Sequence, residues 1–191
     1  MKRISTALFL MALATPSYAH LPPEEHGSFL AGASHPWFGT DHILAMVAVG
    51  LWAALLGGRL LWQLPIAFVA SMVLGFILAL GGVRLPIVEP MILASVIALG
   101  LLTATAARLP AGVCLALCAL FGLFHGHAHG DELGTAGAAS FGIGFAVSTA
   151  TLHALGVVMA RASLNSMRTI RGTQLFGLLT TLAGLWIAVT A

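Results

Sequence analysis

The chain has very little charge. Of its 191 residues only eight are Lys or Arg and six are Asp or Glu, 7% in all, against roughly a quarter in an ordinary soluble domain. So few ionic groups cannot coat a protein of 19.7 kDa, which excludes a soluble globular fold. The basic residues form no run longer than Lys2-Arg3 and the formal net charge is +2, so nucleic-acid binding and adhesion to an anionic membrane surface lack support. Cysteine is scarce too: Cys114 and Cys118 both lie in an apolar stretch and make no disulfide scaffold. There is no glycine-rich phosphate loop, no zinc-protease His-Glu-x-x-His, and no Ser or Cys nucleophile in a recognisable motif with histidine. What is present is 59% hydrophobic residues, a mean hydropathy of +1.02 and, out of keeping with both, eight histidines. A bilayer is the solvent that such a surface matches.

The chain starts Met1-Lys2-Arg3, continues with an apolar run over residues 4–14, and reaches Pro16, Ser17, Tyr18 and Ala19. That is the pattern of a secretory signal peptide over 1–19, with Ser17 and Ala19 as the small cleavage pair; an uncleaved anchor is the alternative. Cleavage would leave a short periplasmic segment, 20–34, opening with His20, ahead of a membrane domain over 35–191. Six apolar stretches in that domain are long enough to span: 37–56, 60–80, 85–107, 110–125, 133–160 and 172–189. Charge, glycine or proline interrupts them at 57–59, 81–84, 108–110, 125–132 and 161–171. The expectation is an all-α integral membrane protein with six transmembrane helices. Alternating from an outer start puts Arg59, Arg108, Arg161, Arg168 and Arg171 in the cytoplasm and only Arg84 outside, as the positive-inside rule asks. This fits a bacterial inner membrane with the mature N-terminus in the periplasm. The same alternation gathers every acidic residue (Glu24, Glu25, Asp41, Glu89, Asp131, Glu132) and seven of the eight histidines at the outer end.

Ionisable groups within spans are costly and mark function by default. At 1.5 Å per residue above the nearest cytoplasmic Arg, His42, Glu89 and His125 sit roughly 25–28 Å up three different spans, in one layer. In the first span, Pro36 suits the opening position of a helix, so that His35, His42 and Met46 would share a stripe with Asp41 beside it. In the fourth, His125, His129 and Glu132 share a face if the helix is continuous, and Cys118 and Cys114 carry that face inward. His127 points elsewhere. Imidazoles with carboxylates suit a divalent first-row transition ion. His153 lies near mid-membrane, where a relay or transit ligand is the functional reading, and His20 with His26 would collect ions at the mouth. Met46 and the cysteines also read as ordinary packing.

The run His35-Pro36 to Asp41-His42, with Met46 and Val49-Gly50, resembles the first-helix signature of the HupE/UreJ family of nickel and cobalt permeases. His125-Gly126-x-Ala128-His129-Gly130-x-Glu132 is similar to that family's fourth-helix motif. Val88-Glu89-Pro90 and Thr149-x-x-Leu152-His153-x-x-Gly156 are similar to its third and fifth. The resemblance covers essentially the whole chain. It implies a permease, not an enzyme, taking up Ni²⁺ or Co²⁺ in bacteria that supply hydrogenase or urease, with the ion as cargo and no permanently bound cofactor. The expected metal site is His35, Asp41, His42, Glu89, His125, His129 and Glu132, with Met46, His153, His20 and Cys118 as further points on the path. The rival readings are a membrane metalloenzyme, a b-type haem carrier with paired histidines, and an exporter or sensor of the same metals. Beyond the ion and the bilayer no partner is indicated, neither nucleic acid nor nucleotide, and the sequence fixes neither an oligomeric state nor a choice among nickel, cobalt and zinc.

Overall fold

A computed structural model describes residues 28–133, 137–164 and 169–190, without the side chains of 131–132, 163–164 and 169–171. The signal-peptide reading, His20 and His26 fall outside the described residues. Every regular element among those residues is helical: α1 (Phe29–Ser34), a 3₁₀ turn (His35–Trp37), α2 (Thr40–Leu56), α3 (Leu60–Leu80), α4 (Val88–Ala104), α5 (Ala111–Leu133), α6 (Ala138–Leu164) and α7 (Thr169–Thr190).

Helix α2 is the central post. It is apolar on all sides, and every residue from Ala45 to Ala54 is buried, with Trp52 fully enclosed. Helices α3, α4, α6 and α7 all pack on it. Two bonds tie α2 to α4 and the segment just after it: Thr103 Oγ1 donates to the Ala48 carbonyl at 3.3 Å and Trp52 Nε1 to the Ala107 carbonyl at 3.0 Å. Around the post, α3 and α5 form the most intimate pair, and the sequence explains why. Gly122, Gly126 and Gly130 recur every fourth residue along one face of α5 and lie against the backbones of Phe68, Met72 and Phe76, spaced identically on α3. A Cβ at Gly126 would collide with the Met72 carbonyl, so only glycine lets the two backbones touch. The rising register makes α3 and α5 parallel, whereas Gly100 against Thr181 and Val96 against Gly184 make α4 and α7 antiparallel.

Large apolar side chains also cover the outside: Trp62, Ile66, Ile77, Leu175, Trp186 and Val189 are all exposed. Apolar inside and out, this is a helical membrane protein. Among the described residues four helices are long and apolar enough to cross a bilayer, and the pair Phe29–Trp37 and Thr40–Leu56, bent by 82° at its break, is long and apolar enough only when taken together. At 17 residues α4 is shorter than the roughly 20 needed for an upright crossing.

Two expectations need correction. The first span does not begin at Pro36. Pro36 opens the 3₁₀ turn instead, and Gly39, extended at φ −88° and ψ 113°, caps a new helix starting at Thr40. The fourth span, expected over 110–125, does not end there either: the polar stretch 125–132 breaks the apolar run but not the helix, which continues through it to Leu133. The glycines that read as a break are the ones α3 needs for close approach.

Candidate metal site

The site forms where α2, α4 and α5 meet, closed on one side by the turn before α2 and by α6. On α5, His125 and His129 are one turn apart and face inward. The first turn of α2 points His42 between them: its Nε2 is 2.6 Å from His129 Nε2 and 3.4 Å from His125 Nδ1. All three rings are buried. His35 reaches the group from beyond the helix break, its ring centroid 4.4 Å from that of His129 and 6.2 Å from that of His42. Phe145 of α6 packs edge-on against His129 at 4.7 Å and stacks on Phe141, forming an apolar wall beside the rings.

Partners on the far side of each ring determine where the lone pairs point. Asp41 Oδ1 lies 3.1 Å from His42 Nδ1. A carboxylate only accepts, so Nδ1 carries the hydrogen and the Nε2 of a neutral His42 offers its lone pair to the cluster, with His129 Nε2–H donating to it. Gly39 permits this pairing: a Cβ there would stand 3.0 Å from both Asp41 Oδ1 and His42 Nδ1. Helix α4 supplies the counterpart. Ser95 Oγ donates to the Ile92 carbonyl at 2.6 Å and lies 2.8 Å from His125 Nε2. With its one hydrogen spent on the carbonyl, Oγ accepts from His125 Nε2–H, and His125 Nδ1 therefore faces His42 Nε2 with a lone pair. The His42 Nε2 lone pair is held by the His129 hydrogen, so a cation entering between His42 and His125 takes that hydrogen's place, and His129 binds through Nε2 only once its hydrogen has moved to the other ring nitrogen.

Among the described residues no three His, Cys, Asp or Glu side chains are already set in coordination geometry. The His42–His129 contact is too short for two nitrogens on one ion. Metal–nitrogen bonds of about 2.1 Å put neighbouring donors about 3.0–3.4 Å apart. The His42–His125 spacing already fits, while His129, at 2.6 Å, must draw back by about half an ångström for an ion to enter between them.

The expected site residues divide. His35, Asp41, His42, His125 and His129 are brought together. Glu89 is not: it continues the buried stripe of α4 outward to the first turn, where it is exposed and makes no bond to the cluster. The Glu132 side chain lies outside the described residues. Met46 is fully buried, and its backbone carbonyl takes a hydrogen bond from His153 Nδ1 at 2.7 Å. Cys118 and Cys114 are buried and unpaired in the core, Cys114 Sγ donating to the Leu109 carbonyl at 3.5 Å. His127 is buried as well, its Nε2 donating to the Val83 carbonyl at 2.6 Å and holding down the loop before α4. The sequence reading missed Ser95; its only signal was a small polar residue inside the third apolar run.

The profile of the HupE/UreJ protein family matches residues 8–187, nearly the whole chain. The chain belongs to the HupE/UreJ family. It is also 44% identical over 159 residues to Protein HupE of Rhizobium leguminosarum bv. viciae, an alignment covering 83% of each chain. No solved structure matches it. HupE/UreJ proteins are nickel and cobalt permeases rather than enzymes, so the chain is a membrane transport protein of that type.

Proposed function

We propose that this HupE/UreJ chain is a secondary permease that takes up Ni²⁺, or Co²⁺, across the bacterial cytoplasmic membrane for hydrogenase or urease maturation. The bent pair ending in α2, the short α4 and the four long helices make six crossings after a cleaved signal peptide over 1–19, with the N-terminal segment 20–34 in the periplasm. The observation that carries the reading is the convergence of His42 Nε2, His125 Nδ1 and His129 Nε2 from two helices, with Asp41 and Ser95 orienting the first two rings. His35, His42, His125 and His129 are the ligands, Asp41 orients His42, and Glu89 and Glu132 collect and partly dehydrate the ion at the outer rim. Imidazole suits nickel and cobalt, and a site without thiolate holds the ion loosely enough to release it. His153 is the next station inward. No nucleotide is needed, since a divalent cation gains about 4.6 kcal/mol per 100 mV on moving in.

The test is ⁶³Ni accumulation by cells expressing the native chain, His42→Ala or His129→Ala, with each protein quantified in the membrane fraction. Both variants should lose uptake at normal abundance. Uptake at the native level in both would overturn the assignment, and outward flux in vesicles would turn the reading into that of an exporter.

A further inference from the structure

Phe68 of α3 is completely buried and touches two histidines on two different helices. Its ring centroid is 5.5 Å from that of His125, at the inner edge of the cluster, and 5.1 Å from that of His153 on α6. His153 is fully buried too, and its Nδ1–H donates to the Met46 carbonyl, which leaves the lone pair on Nε2. That Nε2 has no hydrogen-bond partner. A buried acceptor left unpaired destabilises the fold, a cost that persists where the free lone pair is of use. A cation leaving the outer imidazoles thus has a second imidazole lone pair close by, on a ring packed against the same phenyl group as His125.

We infer that Phe68 is the barrier between the outer imidazole cluster and His153, and that its side chain must swing aside for an ion to pass. The inference rests on the transport reading and deepens it. An apolar ring excludes water and a hydrated ion, as hydrophobic constrictions in channels do. The moving part is the side chain rather than the helix. Gly122 holds α5 against the Phe68 carbonyl and Gly126 holds it against that of Met72, so α3 cannot part from α5 at this level without losing the seam.

The experiment reads access to position 153 without depending on nickel. In the full chain carrying Cys114→Ala, Cys118→Ala and His153→Cys, a charged, membrane-impermeant methanethiosulfonate is added from the periplasmic side and the rate of thiol modification is measured. With Phe68 in place the thiol stays protected. Phe68→Ala speeds modification by about tenfold or more, since a thiol reacts only once the reagent reaches its thiolate. Leu64→Ala, at an equally buried position one turn away, leaves the rate at background. Equal rates with and without Phe68, or equal acceleration by Leu64→Ala, overturn the barrier. Should Phe68→Ala fail to accumulate, Phe68→Leu answers the same question with a smaller void, and an unchanged rate there is equally fatal. In proteoliposomes with the native cysteines and His153, ⁶³Ni flux should rise for Phe68→Ala and fall for Phe68→Trp. Gated modification in a protein that carries no nickel would uphold the barrier and refute the cargo.

Discussion

Ser95→Ala should weaken metal binding more than its size suggests. The hydroxyl is fully buried, donating to the Ile92 carbonyl at 2.6 Å and accepting from His125 Nε2–H at 2.8 Å. Removing it leaves that N–H without a partner, which costs about 1–3 kcal/mol of stability. A second consequence follows for the site. Freed of Ser95, His125 can put its hydrogen on Nδ1 and donate to His42 Nε2, 3.4 Å away, so that the atom meant to bind the ion becomes a donor. Loss of an orienting partner of this kind typically lowers metal affinity about 10–100-fold, or about 1.4–2.8 kcal/mol. The assay is isothermal titration of Ni²⁺ into the purified full chain in detergent, beside a thermal melt of the metal-free protein. The reasoning predicts a lower melting temperature and a weaker Kd together. A destabilised variant that binds nickel as tightly as the native chain would show that Ser95 only packs, and that the lone-pair assignment for His125 is wrong.

His127→Ala should separate the cluster from its neighbour on the same helix. His127 sits between the two site histidines in sequence but bonds the Val83 carbonyl, so its loss should cost about 1–2 kcal/mol in a melt while nickel affinity stays native; a large fall in affinity would place it in the site. Gly126→Ala drives a methyl into the Met72 carbonyl. Separation of α3 from α5 should cost about 1–3 kcal/mol or more and reduce accumulation in the membrane, measured by melting and by immunoblot; a native melting temperature would refute close backbone contact as the basis of the seam.

Most of the helices and most of the cluster were legible because apolar runs and four-residue spacing are local properties. His125 and His129 share a face on any helix, and the depth count correctly set His42 at their level. The same count went astray at Glu89. It assumed upright helices rooted at the same arginine, but α4 ends at Ala104 and is only 17 residues long, so the residue that meets His125 is Ser95, six positions later and about 9 Å further down the helix. The stripe predicted for His35, His42 and Met46 required an unbroken helix through Gly39. The chain bends there by 82°, and His35 joins the cluster by folding back rather than by helical phase. No local pattern announces such a bend, because it depends on what α1 packs against: Gly32 and Gly144 let α1 lie on α6, which holds the turn bearing His35 over His129.

The second nitrogen of each histidine distinguishes the residues that can bind an ion together from those that cannot. Four buried imidazoles have one nitrogen engaged by a fixed partner: His42 by Asp41, His125 by Ser95, His127 by the Val83 carbonyl and His153 by the Met46 carbonyl. In His42 and His125 the remaining nitrogens face each other, with His129 Nε2 bonded to the first, so one cation in place of the His129 hydrogen can bridge both. In His127 and His153 the remaining nitrogen, Nδ1 and Nε2 respectively, meets no other polar atom. Those two histidines differ in what lies nearby. His127 secures the loop before α4, whereas His153 packs against Phe68, which also touches His125, so on the proposed transport reading the same orphaned lone pair is a packing cost in one and a stopping point in the other.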